Sequence, residues 1–250
     1  MMLAIIIPPF LLVYGVIAFL FLVVLLVMIE IEVISYAFSI LGLSPRIAML
    51  ALLASLIGSY VNIPLYSVRA GPVPGALMVN NFGVLYRIPI ELAGPATTVA
   101  INVGGALVPI LISAYALFKN PSAIFPSILG VAAIVLVTHH FAHQIRGLGI
   151  ALPIFIPPRA AAITALALSR IMKSAERVHV IAYVSGVLGT LIGADLSNLS
   201  RIANLGAPVA AIGGAGTFDG VFLIGIVAVL IASLTTPGSH PAGQNHQGAA

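Results

Sequence analysis

The sequence predicts an all-α fold, a polytopic transmembrane bundle of about seven or eight helices with a candidate two-fold internal repeat and helices broken by Gly and Pro. Three observations predict it. Apolar residues make up 61% of the 250-residue chain and charged residues only 6%, whereas a soluble domain carries roughly 25% charged residues to cover itself. Apolar runs of about 20 residues recur, each long enough to cross a hydrocarbon core of about 30 Å. The runs are continuous, where the strands of an outer-membrane barrel would alternate.

Clear spans fall at about 9–29, 46–62, 96–117, 122–138, 179–196 and 207–234. The first is expected to be a retained helix, since "MMLAIIIPPF" lacks the basic region of a signal peptide and no small-residue cleavage site follows. "IEVISYAFSILGL" (31–43), with Glu30 and Glu32 at its mouth, is expected as a second or an interfacial helix. Residues 148–172 have span length, but Pro153, Pro157 and Pro158 remove backbone donors and clash with the preceding turn. They predict one broken span or a re-entrant hairpin, which survives at membrane depth only against protein or a wet cavity.

Residues 63–95 form the longest connection. Pro64, "GPVPG" (71–75) and "VNNFG" (79–83) give it the turn-formers of an ordered or re-entrant loop. Residues 1–234 are read as one transmembrane domain, with repeat halves at about 46–117 and 179–234. The polar tail 235–250 is expected to be disordered. If 148–172 is re-entrant, Arg69, Arg87, Arg146, Arg170, Lys173 and Arg177 gather on one face, opposite Arg46, Lys119 and Arg201. The positive-inside rule then makes the first face cytoplasmic.

The net charge is +4 and the pI about 9.7. The ten basic residues stand singly at the ends of apolar runs, where headgroups sit, and not in the stripe that nucleic acid requires. The chain has no cysteine, which excludes disulfides, thiol catalysis and cysteine metal sites. The expected setting is the cell membrane, crossed several times. The expected partners are the bilayer and a small solute or ion, with a homo-oligomer left open and no cofactor implied.

Two segments are alike. "SLIGSYVNIPL" (55–65) and "TLIGADLSNLS" (190–200) share "LIG" at the end of an apolar helix, then a polar group. Downstream, "AGPATTVAINVGGALVP" (93–109) is similar to "LGAPVAAIGGAGTFD" (205–219); each starts at a Gly/Pro pair and reaches "GGA". Chance similarity among apolar segments is one account. The other is a duplicated two-helix unit, whose Gly-interrupted helices point to a transporter-type midplane site.

Asp195 and Asp219, two of only six acidic residues, are the sharpest site candidates. A carboxylate near the membrane centre costs roughly 2.5–3.5 kcal/mol on the insertion scale, so it normally faces a partner or water. Both would suit proton coupling, cation binding or acid–base work; otherwise they cap helices at the headgroups. Asn198 shares a helical face with Asp195 at i,i+3. Asn62 and Asn102 are polar amides in the matching region of the first half, suited to interhelical bonding or to lining a polar site. His139 and His143 in "THHFAH" have the i,i+4 spacing of two imidazoles on one metal, or they simply complement a helix C-terminus. No P-loop and no G-x-S-x-G motif is present.

The strings "GTLIGADLSNL", "LGAPVAAIGGAGTFDGVFLIGIVAVL", "GLGIALPIFIPP" and "VAINVGGALVPIL" resemble a prokaryotic family of integral membrane proteins known only as domain of unknown function 1614. The resemblance covers about 45–234 and implies a multi-helix membrane domain, with no activity to transfer. A weaker similarity is to presenilin-type aspartyl proteases. "GAD" (193–195) and "TFD" (217–219) put two aspartates on consecutive helices, but alanine and phenylalanine precede them and neither motif is complete. The sequence therefore leads to a transporter or permease with a proton- or cation-coupled polar site. The rivals are an intramembrane aspartyl protease using Asp195 and Asp219, and a non-catalytic scaffold.

Overall fold

The computed structural model describes residues 9–69, 73–81, 84–92, 96–145, 149–173, 175–199, 208–214 and 220–235, without the side chains of 9–12, 73–81, 84–92, 144, 145 and 149. Helix α1 (Pro9–Ile40) runs unbroken for 32 residues. Its shaft, Val13 to Ile29, is exposed on every side although it is wholly apolar. Its last turns carry Ile34, Ala37 and Phe38 into the core. There the Phe38 ring meets Tyr183 and Phe222 edge-on, at centroid distances of 6.4 and 5.8 Å, an arrangement that suits the ring quadrupoles.

Helix α2 (Pro45–Gly58) starts where Ser44 caps it and Pro45 supplies a preset φ. The chain then turns extended. Strand β1 (Asn62–Arg69) is followed by an antiparallel hairpin, β2 (Val73–Asn81) with β3 (Val84–Leu92), and by β4 (Ala96–Asn102). β4 pairs antiparallel with β1 and parallel with β7 (Val209–Ile212), so the sheet order is β1-β4-β7. The ladder satisfies backbone groups that an irregular segment would leave bare in an apolar setting. β4 lies in the middle, with Thr97, Val99, Ala100 and Asn102 buried. A π turn (Val103–Leu107) and α3 (Val108–Lys119) follow.

Helix α4 (Ile124–Phe141), a short hairpin β5–β6 (His143–Ile145, Gly149–Ala151), α5 (Ile156–Ile171) and α6 (Val178–Thr190) come next, then β7 and α7 (Gly220–Thr235). α6 is the central helix: all of its residues but Leu188, that is Val178 to Val187 with Gly189 and Thr190, are buried between α4, α5 and α7. Small residues let the backbones approach, with Ala161, Ala162 and Ala165 of α5 fully buried.

The stretches Val13–Ile40, Pro121–Phe141 and Ala175–Leu199 are long and apolar enough to cross a membrane. The protein is thus a helical bundle of membrane type with seven α-helices among the described residues. Several expected boundaries are corrected. Of residues 31–43, 31–40 are the end of α1 and no separate helix, because nothing between Ile29 and Ile40 breaks the turn, and 41–43 leave it. The expected span 96–117 begins as strand β4, and 207–234 begins as β7. Pro157 and Pro158 stand in the first turn of α5, where no intrahelical donor is needed, so they start that helix and do not interrupt it. The connection 63–95 is mostly strand. The tail 236–250 lies outside the described residues.

Candidate functional site

Below Thr190 the α-helical pattern of α6 gives way to a π turn (Leu191–Asp195), then to a short 3-10 turn at 196–199. The cause is local packing. Gly193 presses on Thr138 and on the backbone of Val135, leaving no room for a side chain. The Thr138 hydroxyl donates to Gly189 O at 3.1 Å, tying α4 to α6 where the pattern changes. An i→i+5 turn holds one more residue than an α turn, and such insertions frequently mark functional sites. It brings Asp195 round to the side of the helix that carries Thr190, and both line one cavity.

Across that cavity β7 ends at Ile212 and the chain turns at Gly213, whose φ of +91° suits glycine. The Gly213 N–H donates to Asp195 Oδ2 at 2.8 Å. Among the described residues the other carboxylate oxygen has no hydrogen-bond partner, and the one ion pair is Arg177–Glu176, elsewhere on the chain. The cavity encloses about 250 Å³. Ile150, Leu152 and Ile154 of the β6 region and Val221 and Ile224 of α7 wall it, with Thr190 and Asp195 as its polar side chains among the described residues. Thr190 is 3% exposed and its hydroxyl has no partner among the described residues.

Behind Gly213 lies a second polar layer. A side chain on Gly213 would strike Gly105 and Ala106 of the first π turn. That turn is capped by Asn102, whose Oδ1 accepts from Gly105 N at 2.8 Å. The Asn102 amide donates to Ser59 O at 2.7 Å and to Asn62 Oδ1 at 3.0 Å. Asn102 is fully buried, and the network joins α2, β1, β4 and the π turn.

The expected site residues therefore divide. Asp195 lies on the cavity. Asn62 and Asn102 meet each other, in register across β1 and β4, one layer behind Gly213. Asn198 is buried and donates to Ala194 O at 2.8 Å, bracing the π turn that follows α6. Asp219 lies outside the described residues, immediately before Gly220, which lines the cavity. His139 and His143 do not share a helical face, because α4 ends at Phe141 and Ala142 is extended. His143 begins β5, with its Nδ1 2.7 Å from Phe141 O. Among the described residues no three His, Cys, Asp or Glu side chains cluster as metal ligands would. Thr190 and Gly213 were not expected at the site. Thr190 opens the quoted repeat "TLIGADLSNLS", five residues before Asp195, but in an α-helix that spacing separates faces.

A carboxylate with one oxygen on a backbone donor and the other turned to an apolar cavity can hold a cation or exchange a proton. No curated protein and no solved structure matches the chain. The family model described as "Protein of unknown function (DUF1614)" matches residues 56–231, from the last turn of α2 through most of α7, and the chain belongs to that family.

Proposed function

We propose that the protein is a multi-pass transporter of the cell membrane in which Asp195 is the proton- or cation-coupling carboxylate. One observation carries this reading: Asp195 sits where a candidate membrane-crossing helix breaks, bonded to the turn after a strand and facing a cavity. Broken helices and extended backbone around a midplane site are the pattern of secondary transporters. The parallel pairing of β4 with β7 supports it, since it joins the two similar segments in the chain's halves. Asp219 is the second carboxylate of this reading. Ion flux into proteoliposomes tests it: Asp195→Asn abolishes flux while the variant stays folded. Undiminished flux in that variant overturns the reading.

A second reading has one observation in its favour. β7 is an edge strand of its sheet among the described residues and leads directly to the donor that holds Asp195. An added extended peptide would be laid beside that carboxylate, as an intramembrane aspartyl protease needs. Cleavage of a helical substrate, lost in both Asp195→Asn and Asp219→Asn, would establish this reading over transport.

A further inference from the structure

We infer that the cavity beside Asp195 is a binding site for a small lipophilic amine, its ammonium group on Asp195 and Thr190 and its hydrocarbon body among Ile150, Leu152, Ile154, Val221 and Ile224. The inference rests on the transport reading and names the class of solute.

The chemistry of the lining selects the class. Asp195 offers an oxygen with no partner among the described residues, and Thr190 offers a buried hydroxyl in the same state. A buried hydroxyl without a partner, such as that of Thr190, keeps its desolvation cost until a ligand bonds to it. A carboxylate repels an anion, so the ligand is cationic or neutral. Calcium takes about 6–8 oxygens and magnesium a near-ideal octahedron, whereas among the described residues the lining side chains supply one carboxylate and one hydroxyl, and Asp219 would add no more than a second carboxylate. A polyol would leave most of its hydroxyls against isoleucine, leucine and valine. An ammonium group has only three donors to place: Asp195 and Thr190 take two, and water the third.

Size agrees. The cavity of about 250 Å³ falls just under the roughly 300–1,000 Å³ of sites for drug-sized ligands, so it takes on the order of ten heavy atoms. The π turn is what makes the polar pair, since it sets Thr190 and Asp195 on one cavity.

The test is calorimetric titration of the full chain in lipid nanodiscs with 2-phenylethylamine, and with 2-phenylethanol as the neutral probe of equal size. The amine is expected to bind, and the alcohol to bind about tenfold more weakly or worse, the worth of a charged hydrogen bond. Asp195→Asn keeps an acceptor for Gly213 and is expected to lose the preference for the amine. Thr190→Val keeps the shape and is expected to weaken amine binding severalfold. No amine binding by the folded wild type overturns the inference, as does equal binding of amine and alcohol or full amine affinity in Asp195→Asn. Ion flux measured on the same preparation separates the two readings. Asp195-dependent flux without amine binding sinks the amine assignment alone; amine binding without flux of any ion or amine sinks the transport reading.

Discussion

Asp195 and Gly213, eighteen residues apart, are joined by a 2.8 Å hydrogen bond from backbone to carboxylate. The bond fixes the broken end of α6 against the turn that follows β7. It also spends one carboxylate oxygen on structure and leaves the other for the cavity. Removing the side chain and neutralising it should therefore have different effects. Asp195→Ala strands the Gly213 donor and should lower stability by about 1–3 kcal/mol. Asp195→Asn retains an acceptor and should melt near the wild-type temperature in detergent, while losing ion flux. Equal melting of the two variants would contradict this division of labour.

Gly213→Ala meets two obstacles. Its φ of +91° is strained for any other residue, and a Cβ would lie 2.7 Å from Ala106 N. Backbone strain of this kind costs about 1–3 kcal/mol before the clash is counted. A thermal shift of the purified variant should show a loss at least that large.

Asn102 and Asn62 share a hydrogen bond but not an environment: the first is fully buried and the second exposed. Asn102→Ala uncaps the π turn and strands Ser59 O and Gly105 N, so it should destabilise by about 2 kcal/mol or more. Asn62→Ala lets water replace the lost contact and should cost well under about 1 kcal/mol. Chemical denaturation of the two variants side by side checks the order.

Gly104 and Gly220 make a similar pair. A Cβ on Gly104 would run into Ser55 O and the backbone of Ser59, so Gly104→Ala should prevent α2 from seating on the π turn. A Cβ on Gly220 meets nothing within 4 Å, so Gly220→Ala should be neutral or slightly stabilising. Yield of monodisperse protein and melting temperature distinguish them.

The shaft of α1 should respond to charge as a lipid-facing helix does. Leu22 is half exposed at its middle, and Leu22→Arg should raise the insertion cost by about 2.5–3.5 kcal/mol. A glycosylation-mapping assay would read this as reduced insertion of the first helix, whereas Leu22→Ala should insert normally.

The helical, apolar character of the chain and the isolation of Asp195 were legible because both rest on composition: a carboxylate in an apolar run stands out. Strands were not. "ATTVAIN" (96–102) is a short, nearly continuous apolar run, and periodicity cannot tell a buried strand from a buried helix segment. Thr97, Thr98 and Val99 were the available hint, being β-branched. The role of Pro157 and Pro158 was misjudged because a proline that breaks a helix and one that begins it look alike until the helix start is known. Thr190 and Gly213 were out of reach: one depends on a π turn caused by packing against Thr138, the other on a contact between distant segments.

The parallel ladder between β4 and β7 joins residues more than a hundred positions apart, Thr98 with Val209 through Ile101 with Ile212. During synthesis β4 emerges long before its partner, so one edge of the central strand stays unpaired while α3 to α6 are made. Contacts of such sequence separation form late and slowly. The Gly213 turn, and with it the clasp on Asp195, is consequently among the last features to assemble. The first half of the chain must therefore wait with an open strand edge until the second half is made.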